Sequence, residues 1–279
     1  MKRVLYLMYL SWVFFALKCN AVSGDSIRFI YDGHLYLQVT LNDSIPVTVI
    51  YDTGADFLYL DEDYLKVNGL QNAFGKKGKA RMGGAGNNEN IKVEIFIDPI
   101  KIHCGTLDYT NDITPVIKLR DILGRHTDGL LGNTHLLQSP LMINFSEGFL
   151  KQIKHPVPVN LTEGYRKLEA KFEDNRIKVK AKLTIDTENI VEGWFSMDMG
   201  SGSTVSLTNE TASALHLENI PKVRFGNQAG GIGGESEDLT MRAAEFTIGD
   251  TFKNIVIDCS LNKKVITANP KERLRQIQM

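Results

Sequence analysis

Two aspartates, Asp52 and Asp198, each open an Asp-x-Gly triplet, Asp52-Thr53-Gly54 and Asp198-Met199-Gly200. One such triplet is expected by chance about once in a chain of this length, because glycine makes up about 7% of ordinary sequence and aspartate a similar share. What makes this pair specific is its duplication, the apolar run ahead of each copy and the small residue behind each, Ala55 and Ser201. Glycine permits close backbone approach, so two such turns related by a pseudo-two-fold axis would bring their carboxylates together. Two carboxyl groups about 3 Å apart cannot both ionise, so one pKa rises and the pair holds a single proton. The ionised member can take a proton from a trapped water while the protonated member donates to a carbonyl oxygen. That chemistry hydrolyses a peptide bond without a metal or a covalent intermediate. Base and acid are roles of the pair, since a coupled titration belongs to neither residue alone.

The elements that must position these groups recur as well. In the first copy a β-type alternation over Leu35 to Leu41 passes through a turn at Asn42, Asp43 and Ser44 into an apolar strand, Val47 to Tyr51, that ends at Asp52. In the second, alternating Ile177, Val179, Ala181 and Leu183 lead through a polar turn at 186–189 into Trp194 to Met197 and then Asp198. Each aspartate is followed by another apolar strand, Phe57 to Leu60 and Thr204 to Leu207, and by a helix start at Asp61 or Thr208. Glycine clusters follow at matched offsets: Gly83, Gly84 and Gly86 begin 31 residues after Asp52, and Gly230, Gly231, Gly233 and Gly234 begin 32 after Asp198. Beyond them lie strand patterns over Ile91 to Ile97, Lys101 to Cys104, Glu245 to Ile248 and Ile255 to Cys259. An internal repeat of this size organises the whole chain. It predicts an all-β protein of two related lobes with short helices: a first lobe over 22–149, a connection over 150–173 that contains Pro156 and Pro158, and a second lobe over 174–279.

The run Val49-Ile50-Tyr51-Asp52-Thr53-Gly54-Ala55 resembles the active-site motif of retropepsin-like and pepsin-like aspartic proteases, and Asp128-Gly129-Leu130-Leu131-Gly132-Asn133 resembles that family's second signature. The likeness spans roughly 26–148 closely and 174–260 more loosely, and the whole is similar to exported bacterial members of the group. The resemblance implies a bilobal aspartic-protease fold with Asp52 and Asp198 as the catalytic pair, supported by Thr53, Gly54, Gly200, Ser201, Leu131 and Gly132. It further implies a polypeptide substrate, no cofactor and no metal. It would place Gly83, Gly84 and Gly86 in or near a flap over the substrate, although glycines there serve equally well as simple hairpin turns.

Two departures stand against this pattern. Met199 replaces the hydroxyl residue expected after the second aspartate, so a reciprocal hydroxyl bond across the pair is missing. Gly129 to Gly132 lie 77 to 80 residues beyond Asp52, so a second copy is expected near 275–278, where the chain reads Arg275-Gln276-Ile277-Gln278. The second apolar-glycine brace is therefore absent from the sequence, the second lobe reads as incomplete, and Lys271 to Gln278 reads as a solvated tail or helix.

Composition sets the remaining bounds. A hydrophobic share of 43% and a charged share of 23% describe an ordinary globular chain with ample core. Lys2 and Arg3 followed by an apolar run from Val4 to Leu17 read as a signal peptide over 1–21, cleaved after Ala21, which predicts a secreted or periplasmic protein. A lipid anchor on Cys19 is the weaker alternative, because Lys18 sits where that processing wants a small residue. Cleavage removes Lys2, Arg3 and Lys18 and no acid, taking the formal charge from −1 to −4. With no concentrated basic face, no nucleic-acid partner is expected. No stable membrane anchor is expected either, and a monomer suffices because one chain carries both aspartates. Cys104 and Cys259 either pair or remain as small buried thiols, and no Cys or His spacing resembles a zinc site. Two further function classes fit the residues: the same fold used to bind peptides without cleaving them, and an unrelated β-rich surface module, such as a glycan binder, in which both triplets are turns.

Overall fold

The computed structural model describes residues 26–84, 91–105, 107–137, 139–220, 225–231, 234–260 and 277–278. The expected signal peptide over 1–21 lies outside the described residues, as do Gly86 and Gly233. Among the described residues there are two β sheets, one of twelve strands between Ile27 and Gln152 and one of eight between Ala170 and Gln278, and the helices are short. This is the all-β, two-lobed architecture expected from the repeat.

The hairpin that delivers Asp52 pairs His34–Leu41 with Ile45–Tyr51, Leu37 opposite Val49. Alternation drives it: Leu35, Leu37, Val39 and Leu41 face the core while their neighbours are partly or wholly exposed. Asn42 and Asp43 make the turn with positive φ, a conformation these two residue types tolerate. The second lobe repeats the arrangement with Arg176–Thr184 against Ile190–Ser196, Val179 opposite Phe195. Val49 and Phe195 each lie three residues ahead of the aspartate, so the two hairpins share one frame.

A short strand threads each lobe beside that hairpin. Gly129–Leu131 runs parallel to Ile45–Tyr51, Leu130 opposite Ile50, and antiparallel to Leu58–Asp61, Leu130 opposite Tyr59. Buried on both faces, it is apolar throughout instead of alternating. The sequence expects nothing comparable in the second lobe and reads 271–278 as a tail or helix, but there the structure differs. Ile277–Gln278 runs parallel to Ile190–Ser196 and antiparallel to Ser206–Leu207, with Gln278 opposite both Ser196 and Ser206. The place is thus taken in register without the apolar-glycine sequence that marks it in the first lobe.

The helix starts fall where expected. Asp61 caps Glu62–Val67 by accepting from the Tyr64 N–H at 2.7 Å, and Thr208 caps Asn209–Ala214 by accepting from the Thr211 N–H at 3.3 Å. The ends of the span read as a connection are strands. Phe149–Gln152 pairs with Ile27–Asp32 and Leu141–Asn144 in the first sheet, and Ala170–Glu173 opens the second. Cys104 and Cys259 are free, buried thiols, each pushed up to about 12 by burial.

Leu131, fully buried in the first-lobe core beside Val49, Leu58 and Leu60, joins the strand frame to the Asp52 turn. Leu131→Ala is expected to cost about 2–5 kcal/mol, the usual range for a leucine deleted from a packed core, read as a lowered midpoint in urea unfolding.

Candidate active site

Each aspartate follows the second strand of its hairpin, Ile45–Tyr51 or Ile190–Ser196, and the two carboxylates receive one local hydrogen bond in common. The Asp52 N–H donates to the Leu131 carbonyl at 3.0 Å, and the Gly54 N–H donates to Asp52 Oδ1 at 2.6 Å. In the second lobe the Gly200 N–H donates to Asp198 Oδ1 at 2.9 Å. Each carboxylate is thus held by the amide two residues on, which fixes its rotamer inside its own turn.

The two turns then interlock. A Cβ placed on Gly54 would lie 2.7 Å from Asp198 Oδ2, and one placed on Gly200 would overlap the Asp52 carboxyl. Each carboxylate therefore rests over the glycine of the opposite triplet, and the two carboxyls share a hydrogen bond. Burial raises the Asp52 pKa first, the Asp198 charge and that hydrogen bond raise it further, and the Gly54 N–H and Arg176 only partly oppose them, leaving it at about 7.

Thr53 ties the lobes beneath the pair. Its hydroxyl donates to the Met197 carbonyl at 2.7 Å and accepts from the Met199 N–H at 2.9 Å, so one oxygen spans both sides of the second-lobe turn. Met199 offers no hydroxyl in return. Its side chain packs against the first-lobe core instead, exchanging a polar tie for an apolar one. Ser201 and Ser203 make their hydrogen bonds within the second lobe: the Ser203 N–H donates to Ser201 Oγ at 3.2 Å, and Ser203 Oγ donates to Asp258 Oδ2 at 2.7 Å.

Gly132 braces the Asp52 turn from outside. Its N–H donates to the Phe57 carbonyl at 2.9 Å, and a Cβ there would sit 2.5 Å from the Asp56 carbonyl carbon and 2.6 Å from the Ala55 oxygen. Only glycine fits against that backbone. Gly83 and Gly84 continue from Lys77–Met82, the first strand of a hairpin completed by Ile91–Phe96. Ala80, Met82 and Ile91 of this hairpin pack on the apolar cluster that contains Ile50 and Ala55.

The expected site residues omit a second set of ties between the lobes. Asp56 Oδ1 accepts from Arg176 Nη1 and from Asn175 Nδ2, both at 2.7 Å. Asn133 Nδ2 donates to the Thr53 carbonyl at 2.7 Å and to the Asn175 carbonyl at 3.0 Å. Burial pushes the Asp56 carboxyl up, but the hydrogen bonds from Arg176 and Asn175 outweigh it and hold the group below its ordinary value. The available signal was local: Asp174 and Asn175 both take positive φ in a two-residue turn, the Asp/Asn signature of a tight hairpin, which presents Arg176 at the lobe boundary. Beside the aspartate pair, Gly54, Asp198, Arg176, Lys178, Ser196 and Thr208 line a cavity of about 250 Å³.

No protein-family model matches the chain, and no curated protein sequence matches it. Among solved structures it is similar to a retropepsin-like aspartic protease from Rickettsia conorii, with 21% identity, 45% of this chain and 86% of that chain covered, and a TM-score of 0.30. That likeness is one of fold.

Thr53→Val keeps shape and removes both hydroxyl bonds, stranding the part-buried Met197 carbonyl and Met199 N–H. A loss of about 1–3 kcal/mol is expected in thermal or urea unfolding, with Thr53→Ser recovering most of it. A second expectation concerns pH. The Asp52 carboxyl titrates at 3.8 when unperturbed and at about 7 in the fold, so across that window the folded chain binds more protons than the unfolded one. The pair's contribution to stability is complete below pH 3.8 and is lost as pH rises through about 7. Asp52→Asn should flatten that part of the stability profile, measured as urea midpoints at several pH values against the parent chain.

Proposed function

We propose that this chain is an aspartic endopeptidase in which Asp52 and Asp198 activate a water against a peptide carbonyl. The observation that carries the reading is the mutual seating of each carboxylate over the opposite glycine, with Asp52 raised towards neutrality. One proton shared between two carboxyls supplies the base and the acid that water attack on an amide requires. Thr53 and Gly132 fix the turns so that neither carboxyl can swing away. The glycine-bearing hairpin that starts with Lys77–Met82 covers a bound polypeptide, and residues 1–21 direct export to the periplasm or beyond, with cleavage after Ala21. The mature chain acts as a monomer and takes neither nucleic acid nor cofactor.

Met199 supports a second reading, a peptide-binding protein of the same fold without hydrolysis, because the second turn lacks its hydroxyl tie. Cleavage of an unstructured protein by residues 22–279 between pH 3 and 8 separates the two. The endopeptidase reading expects activity blocked by a statine-type transition-state analogue. It also expects a fall in kcat/KM of at least about 10²-fold in Asp52→Asn and in Asp198→Asn alike, the scale of a lost general acid or base. Full cleavage by either folded variant would rule out the pair as the catalytic group, and a folded parent chain that cleaves nothing leaves the binding reading.

A further inference from the structure

Beside the two aspartate turns, the lobes carry opposite chemistry at matching strand positions. Strand register gives the match without side-chain comparison. Tyr36 faces Ile50 where Lys178 faces Ser196, and Leu130 faces both Ile50 and Tyr59 where Gln278 faces both Ser196 and Ser206. In the first lobe Tyr36, Ile50, Tyr59 and Leu130 belong to one packed apolar cluster with Ala55, adjoining the Asp52 turn. In the second lobe all four places hold polar residue types, and two of them, Lys178 and Ser196, line the cavity of about 250 Å³ that reaches Asp198 and Gly54. Lys178 lines it although only 7% exposed, and Arg176 lines it two residues earlier on the same strand.

A buried ammonium is costly unless paired. Lys178 Nζ reaches Glu173 at 2.8 Å and Asp174 at 3.3 Å, and Arg176 Nη1 reaches Asp56 at 2.7 Å. Of these three carboxylates only Asp174 lines the cavity, and its side chain is 76% exposed. An ammonium has three donors and a guanidinium five. An entering carboxylate would therefore meet two cations with donors to spare. An apolar side chain would instead strip water from Lys178 and Ser196 and return no hydrogen bond.

Resting on the endopeptidase reading, we propose that this cavity is a specificity pocket for an acidic side chain, so that the preferred substrates carry Asp or Glu on one side of the scissile bond. Lys178 and Arg176 are its specificity-determining residues. The pseudo-two-fold axis through the aspartate pair sets the cavity on one side of that bond and the apolar layer of the first lobe on the other.

The test uses peptides identical except for Glu, Gln, Leu or Lys at each residue flanking the cleaved bond, together with uncleavable reduced-bond analogues bearing Glu or Leu. At one flanking position Glu is expected to exceed Gln and Leu in kcat/KM by about tenfold or more, the scale of one charge-assisted hydrogen bond. Lys178→Met should erase the preference and Lys178→Glu should turn it towards Lys. If Lys178→Met does not fold, Arg176→Met carries the same comparison. Equal cleavage of Glu and Gln at both positions, or a preference unchanged in folded Lys178→Met, would overturn the proposal. A protein that cleaves nothing yet binds the Glu analogue about tenfold tighter than the Leu analogue, again the scale of one such bond, loses the endopeptidase reading and keeps this pocket. One that cleaves without regard to charge keeps the former and loses the latter, and one that binds neither analogue loses both.

Discussion

Close approach of two like-charged groups is the constraint on which the structure turns. Asp52 and Asp198 come together only because Gly54 and Gly200 present no Cβ, each glycine making room for the other lobe's carboxylate. That approach is unfavourable unless the charge is halved by a shared proton, and the fold supplies the opposing attraction elsewhere. Thr53 bonds to both sides of the second-lobe turn, Asp56 draws in Arg176 and Asn175, and Asn133 joins the Thr53 and Asn175 carbonyls. The Thr53, Asp56 and Asn133–Asn175 bonds cross from one lobe to the other, and the Asn133 bond to the Thr53 carbonyl stays within the first. The lobes are thus tied most densely where their charges repel.

Two-fold geometry does not carry two-fold chemistry with it. The backbone repeats closely, down to the helix caps at Asp61 and Thr208 and the short strand beside each hairpin. Side chains diverge wherever the repeat does not need them. The first lobe fills its layer beside the site with apolar groups, and the second leaves a polar cavity there. The Thr53 tie is likewise one-sided, a threonine hydroxyl from the first lobe meeting only backbone from the second.

What could be read from the sequence follows from what leaves a local mark. Strands with one face in the core alternate, so Leu35 to Leu41 and Ile177 to Leu183 were legible, and a helix cap needs one side chain of the right kind at the right place. The long hairpin Gly234–Ile248 with Asp250–Ser260 was legible only over its second half, because residues 234–240 lack apolar alternation. The Asp56 and Arg176 pair joins residues 120 apart, and neither has a spacing that announces the other. Ile277–Gln278 escaped because the apolar-glycine pattern that marks the first-lobe strand is not repeated there.

The weight of Met199 can be judged by magnitude. A hydroxyl tie between neutral groups contributes about 0.5–1.5 kcal/mol net, roughly a factor of ten at most if all of it were spent on positioning the pair. General acid–base chemistry by the carboxyls is worth about 10²–10⁴-fold, so the missing hydroxyl is the smaller quantity. The Met199 N–H still bonds to Thr53, and the methionine side chain packs on the first-lobe core, which offsets part of the loss through buried apolar area. What fixes Asp198 is mostly its own turn, through the Gly200 amide, and the glycine it rests upon. A substitution that spares those contacts weakens one support of the pair and leaves its chemistry in place.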